Sequence, residues 1–210
     1  MQMKNSDTNA VMIFVRYPEK GKVKTRLAKE IGEESALSFY TACAENTFAE
    51  CKKIKSENVL LYLFYAGAND NSLITKWAGF DFVSYPQIGS NLGIRINNAF
   101  KEIFSNKIDK AVVIGTDIPD INAEVIDKSF EILNSADIVI GPSADGGYYL
   151  LGMKKPYDFL FDNIQWSTGS VFRDTMSSVL IHNLTFFVLP ELIDIDTKDD
   201  FIKWSERNKQ

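Results

Sequence analysis

The chain has 210 residues, enough for one domain of ordinary size that buries roughly 70% of its unfolded surface and needs no disulfide or structural metal to fold. Apolar residues make up 45% and charged residues 24%, and 23 basic against 28 acidic side chains leave a formal charge of −5, which excludes a disordered chain and argues against a dedicated nucleic-acid binder. No apolar run reaches the ~18 residues that span a bilayer, and a single histidine with two cysteines excludes a Cys/His zinc site, so any metal must rest mostly on oxygen.

Met1 to Asn9 is polar, without the apolar core of a secretory signal, and reads as the tail of a single cytoplasmic domain spanning 1–210. Ala10–Val15 is a short apolar run of the kind that buried strands make. Helical spacing follows over Thr25–Ser56, where Leu27, Ile31, Ala36, Leu37, Tyr40 and Cys43 form an apolar stripe. Cys43 and Cys51 stand ~12 Å apart along that helix, too far for a disulfide. The strands Val59–Tyr65 and Phe80–Tyr85 flank a helix at Ser72–Ala78, and the helix Leu92–Ser105 leads to the strand Ala111–Gly115. After a helix at Glu124–Asn134, Asp137–Gly141 and Tyr148–Gly152 are strands with hairpin-like spacing, one locally antiparallel pair. A helix at Thr168–Leu180, a strand at Leu184–Leu189 and a helix at Lys198–Asn208 close the chain, with His182 a surface residue ahead of the last strand. This alternation predicts an α/β fold, a three-layer α/β/α sandwich with a mostly parallel, mixed central sheet.

Such sheets bind ligands outside the carboxyl ends of their strands, and three clusters stand there. Arg16 to Arg26 carries five basic residues and one acid, +4 in a chain of −5, on a strand-to-helix loop suited to phosphate. It is neither a Walker A loop nor a Gly-x-Gly-x-x-Gly turn. The strand at 111–115 runs into Thr116-Asp117-Ile118-Pro119-Asp120, where Asp117 is placed to hold Mg²⁺ or Mn²⁺ and either Asp120 or Asn122 caps the next helix. Third, Asp145-Gly146-Gly147 permits close backbone approach to a bound group, or is simply a structural turn that Asp145 supports. Ser167 or Thr168 is placed to cap a helix, while Asp194 and Asp196 share one face of an extended segment and either complete a metal site or cap the last helix.

Together, Lys22-Val-Lys24-Thr25-Arg26-Leu27, Gly115-Thr-Asp117-Ile-Pro119, Asp145-Gly-Gly-Tyr-Tyr-Leu150, Trp166-Ser-Thr168 and Asp194-Ile-Asp196-Thr197 resemble a family of small bacterial GT-A-fold proteins. These are the radical-SAM-associated, arsenosugar-biosynthesis-type glycosyltransferases. The resemblance runs from about Ala10 to Phe201 and implies a nucleotide-diphospho-sugar transferase fold, related to molybdenum-cofactor and phospholactate guanylyltransferases. It implies nucleotide and phosphate binding by Arg16, Lys22, Lys24 and Arg26, and metal at Asp117, although no second Asp stands two residues on. Gln87 to Arg95 is similar to a family stretch near the base or ribose, with Asn91 where Asp is common and Arg95 within reach of a phosphate; Gly146, Gly147 and Trp166 join this binding set.

The implied reaction is metal-assisted transfer of a sugar from a nucleoside-diphosphate sugar to a small acceptor, with Asp145 as general base or second metal ligand and Asp196 as the other candidate for either role. The alternative is a nucleotidyltransferase of the same fold, which couples a nucleoside triphosphate to an acceptor and releases pyrophosphate. A third reading is a nucleotide-binding protein without catalysis. None of the three involves nucleic acid or membrane.

Overall fold

A computed structural model describes residues 7–207. Seven strands form one sheet in the order β3-β2-β1-β4-β6-β5-β7. They are β1 (Asn9–Arg16), β2 (Val59–Ala66), β3 (Val83–Pro86), β4 (Lys110–Gly115), β5 (Ile138–Pro142), β6 (Tyr148–Met153) and β7 (Phe186–Val188). Six run parallel, and β6 runs antiparallel to both of its neighbours, β4 and β5. The helices are α1 (Thr25–Ile31), α2 (Glu33–Cys51), α3 (Asn71–Ala78), α4 (Leu92–Ser105), α5 (Ala123–Ile132), α6 (Val171–Ile181) and α7 (Lys198–Arg207), with a short 3-10 turn at Asp158–Phe161.

Alternation along each strand builds the two interlayer cores. In β1, Val11, Ile13 and Val15 face a core completed by Ala44, Phe48, Ile74, Ile126 and Phe130 from α2, α3 and α5. Ala10 and Met12 face the opposite core, with Ile96, Phe100 and Ile103 of α4, Leu160 and Phe161 of the 3-10 turn, and Val179 of α6. The chain is thus the α/β/α sandwich that the alternation predicts. Among the described residues no helix is long and apolar enough to cross a membrane.

Four local expectations are corrected. The helix expected over 25–56 breaks at Gly32, whose backbone swings to φ +87° between α1 and α2, and it ends at Cys51. The strand expected at Phe80–Tyr85 pairs with β2 only from Val83, on to Pro86, and Phe80 is 92% exposed. Neither Ser167 nor Thr168 caps α6; the cap position is Ser170, which has no side-chain cap bond. Residues 1–6 of the expected tail and Asn208 lie outside the described residues. Asp7 to Asn9 are fastened: Asp7 pairs with Lys110 at 2.7 Å, the Thr8 N–H donates to the Asp109 carboxylate, and Asn9 opens β1. Cys43 and Cys51 are free and buried, and burial pushes both thiols up to about 12. His182 is exposed at the end of α6 and stacks on Phe159.

The edge strand β7 is held partly by Asp137, which accepts from the hydroxyl and the N–H of Thr185 at 2.6 and 3.0 Å and pairs with Lys154. The Thr185 hydroxyl contributes most to holding this carboxyl down, from 3.8 to about 2. A carboxylate depressed on folding stabilises the native state above its unfolded pKa, and that contribution is lost as pH falls through the folded value. Asp137→Asn should therefore lose less stability than the natural chain between about pH 4 and pH 2 in an acid titration followed by circular dichroism. Equal losses would show that the clasp carries no such linkage.

Candidate active site

The carboxyl ends of β1, β4 and β5 open on one cleft of about 700 Å³. At the end of β1, the Tyr40 hydroxyl of α2 clamps Arg16, accepting from its N–H at 2.9 Å and donating to its carbonyl at 2.8 Å. Burial, and then the negative charge of Asp117, push the Tyr40 hydroxyl up to about 12, so it stays a neutral donor. The loop then runs to Lys24, in the left-handed region at φ 45°, ψ 47°, where α1 begins. This turn buries the Lys24 side chain to 3% exposure, while Arg26 on the first turn of the helix remains 74% exposed.

Lys24 Nζ is the centre of the site. It lies 2.9 Å from Asp117, 2.8 Å from Asp194 and 3.4 Å from Asp196, and Arg26 touches Asp196 at 3.5 Å. Asp117 arrives on the turn after β4, with Ile118 buried beside it. Asp194 and Asp196 reach the lysine because Ile195 between them is fully buried with Leu27 and Ala36, which turns both carboxylates to the opposite face. Neither is needed as a cap: Thr197 and Asp200 form a reciprocal capping box for α7. Asn122 caps α5, and Asp120 accepts from the Trp204 indole.

Burial alone would lower the Lys24 pKa, but Asp117, Asp194 and Asp196 together hold it well above its usual value, so the ammonium is permanent. One ammonium cannot satisfy three carboxylates. Burial, with repulsion from Asp117 and Asp196, holds Asp194 above the usual carboxylate range despite its contact with Lys24.

The other cations divide into two groups. Lys20 pairs with Glu34, and Lys22 pairs with Glu19 at 2.9 Å. Arg16 and Arg95 both line the cleft and have no ion pair among the described residues; Arg95 donates its Nε–H to the Gly89 carbonyl at 2.9 Å. Two guanidiniums without a counter-charge make the readiest anion site in the cleft.

The far wall is aromatic. Trp166 stacks on Phe161, meets Tyr148 edge-on, and lies against the first turn of α4, where Gly93 leaves it room: a Cβ there would stand 2.0 Å from the indole. Asn91 caps α4 by accepting from the Ile94 N–H and does not line the cleft. Asp145 lines it and also shapes the hairpin, since its Oδ1 accepts from the Ser143 hydroxyl at 2.5 Å and the Gly147 N–H at 3.0 Å. Gly147 lines the cleft, whereas Gly146 approaches the chain's own backbone: a Cβ would stand 2.2 Å from the Gly169 carbonyl oxygen. Gln87 lines the cleft and donates to the carbonyls of Val15 and Phe64. Tyr40 carried no sequence signal beyond a place on an apolar stripe; Asp194 was visible only as one half of an alternating acidic pair.

The carboxylates of Asp117, Asp194 and Asp196 suit Mg²⁺ or Mn²⁺ in kind, being hard oxygen donors from two separated segments. In this arrangement they are spread about Nζ, and among the described residues no three acidic, cysteine or histidine side chains already form a metal cluster.

The family model described as an uncharacterized protein conserved in bacteria, DUF2064, matches residues 48–168. No curated protein matches the chain. A solved structure from Desulfovibrio desulfuricans G20, described as a candidate nucleotide-diphospho-sugar transferase, is 31% identical with a TM-score of 0.91, over 97% of this chain and 89% of that one. The 4-diphosphocytidyl-2C-methyl-D-erythritol synthase of Anaerococcus prevotii DSM 20548 shares the fold at a TM-score of 0.61 and 10% identity, over 98% of this chain and 100% of that one. Rv0371c of Mycobacterium tuberculosis H37Rv, in complex with manganese, shares it at 0.51 and 13%, over 95% and 99%.

The Trp166 wall is open to a direct check. Gly93→Ala should push the indole off α4, seen as a shift in tryptophan emission that disappears when Trp166→Phe is added. Emission unchanged by Gly93→Ala would mean that the ring does not rest on the helix.

Proposed function

The chain belongs to the DUF2064 family of bacterial proteins, and from that footing we propose that it is a glycosyltransferase, which moves a sugar from a nucleoside-diphosphate sugar to a small acceptor. The observation that carries this reading is the meeting, in one cleft, of two guanidiniums with no ion pair among the described residues, Arg16 and Arg95, with the carboxylates of Asp117, Asp194 and Asp196. The similarity to the Desulfovibrio protein supports the nucleotide-sugar class. The radical-SAM and arsenosugar association rests on the sequence resemblance alone.

In this reading Arg16 and Arg95 bind the diphosphate, with Lys22 and Arg26 at the rim, and Trp166 offers a flat face to a base or sugar ring. The bond from the anomeric carbon to the diphosphate oxygen breaks, its electron pair leaves with the diphosphate, and the acceptor oxygen bonds to the anomeric carbon. The charge that grows on the leaving group is what the guanidiniums stabilise, the kind of contribution that is usually the largest in enzymes. Asp145 takes the acceptor's proton; Asp196 is the other candidate for that role. A divalent cation held by Asp117, with Asp194 or Asp196, would supply further neutralisation of the diphosphate.

A nucleotidyltransferase is the second reading, favoured by the fold shared with the Anaerococcus synthase and by the exposed Lys22 and Arg26, which suit a third phosphate.

Two measurements test these readings. Asp117→Ala should fold, because Lys24 keeps Asp194 and Asp196, and should lose the Mg²⁺-dependent part of nucleotide-sugar binding in calorimetry; unchanged binding would remove Asp117 from the site. Incubation with nucleotide sugars and acceptors should release nucleoside diphosphate, and incubation with nucleoside triphosphates and acceptors should yield no pyrophosphate. Pyrophosphate release would exchange the two readings.

A further inference from the structure

We propose that Lys24 and a divalent cation compete for the same three carboxylates, so that metal binding expels Lys24 and frees its ammonium for a phosphate. This rests on the reading of the cleft as a metal-assisted transferase site.

Four observations carry it. First, Lys24 points inward, 3% exposed, while Lys20, Lys22 and Arg26 on the same loop and helix start are open to solvent. Second, Nζ stands at 2.8 to 3.4 Å from three carboxylate oxygens, the spacing of ammonium ion pairs. Mg²⁺ takes its oxygens at about 2.0–2.1 Å, so the carboxylates must close in on a metal and cannot do so around an ammonium. Third, Asp117, Asp194 and Asp196 share one buried ammonium, with Arg26 touching only Asp196, and a dication in the ammonium's place brings one more positive charge to the cluster. Fourth, the Lys24 backbone sits at φ 45°, a strained region for a lysine, and such strain persists where surrounding contacts enforce it. The ion pairs are among those contacts, together with the Ala28 N–H that donates to the Lys24 carbonyl at the start of α1.

The consequence is an ordered site. Before metal arrives, the most buried cation of the loop is spent on its own carboxylates. Afterwards it becomes a phosphate donor, and by linkage the metal and the donor diphosphate each raise the other's affinity. Lys24 is thus a positioning residue for the carboxylates in one state and a ligand contact in the other.

The test uses the full chain and Mn²⁺ alone, by calorimetry, with the natural protein and Lys24→Gln. Removal of the competitor should tighten Mn²⁺ binding by about tenfold or more. Because Lys24→Gln leaves only Arg26 beside the three carboxylates and could unfold, a second measurement uses the natural protein. Amine acetylation read by peptide mass spectrometry should find Lys24 protected without metal and modified as readily as Lys22 with saturating Mg²⁺. Equal or weaker Mn²⁺ binding by a folded Lys24→Gln variant, or Lys24 still protected in a protein saturated with metal, overturns the competition and leaves the metal reading standing. Absence of Mn²⁺ binding in both proteins overturns the metal reading itself.

Discussion

A buried ammonium needs partners, and the burial of Lys24 among Asp117, Asp194 and Asp196 is the constraint on which the cleft depends. It ties the loop after β1 to the turn after β4 and to the segment ahead of α7. The segment ahead of α7 is pinned from behind by Ile195 and from its far end by the Thr197–Asp200 capping box. Each carboxylate is therefore placed by packing of its own neighbours, and the lysine joins placements that packing has already made.

Sheet geometry explains why these groups meet. Six parallel strands bring their carboxyl ends to one edge, which collects Arg16, Asp117 and the start of the 143–147 turn. The reversal of β6 is as important as the parallel order. Because β6 runs back from that edge, the hairpin that joins it to β5 lies over the cleft and carries Asp145 and Gly147 there. The result is a cleft with a charged end and an aromatic end. A diphosphate attached to a ring has the same two-part character, which is the physical link between this fold and the proposed chemistry.

Local periodicity located all seven strands because each lies in a short apolar run, buried in the five inner strands and not in the edge strands β3 and β7, but it blurred boundaries that depend on neighbours. Gly32 does not disturb the apolar spacing on either side, so the break between α1 and α2 left no mark on the stripe from Leu27 to Cys43. Phe80 is as apolar as Phe82, yet Phe82 packs against Phe48 in the core and Phe80 is exposed, and pairing with β2 begins only at Val83. In the site, the basic loop reads as five equivalent charges. The structure divides them into two paired lysines, one buried ammonium, Arg26 at the Asp196 carboxylate, and Arg16, which has no ion pair among the described residues.

The sequence by itself determined the α/β/α order, the antiparallel hairpin at Asp145–Gly147, and the kinds of residue at the strand ends. All of these follow from the spacing of neighbours a few positions apart. Tertiary structure alone decided that Lys24 belongs to Asp194 and Asp196, 170 and 172 residues away, that Thr197 with Asp200 rather than either of them caps the last helix, and that Asn91 serves its own helix. Charge in a sequence has no direction. It acquires one when packing chooses which face of each segment is buried, and here the burial of Ile195 turned two carboxylates onto one lysine.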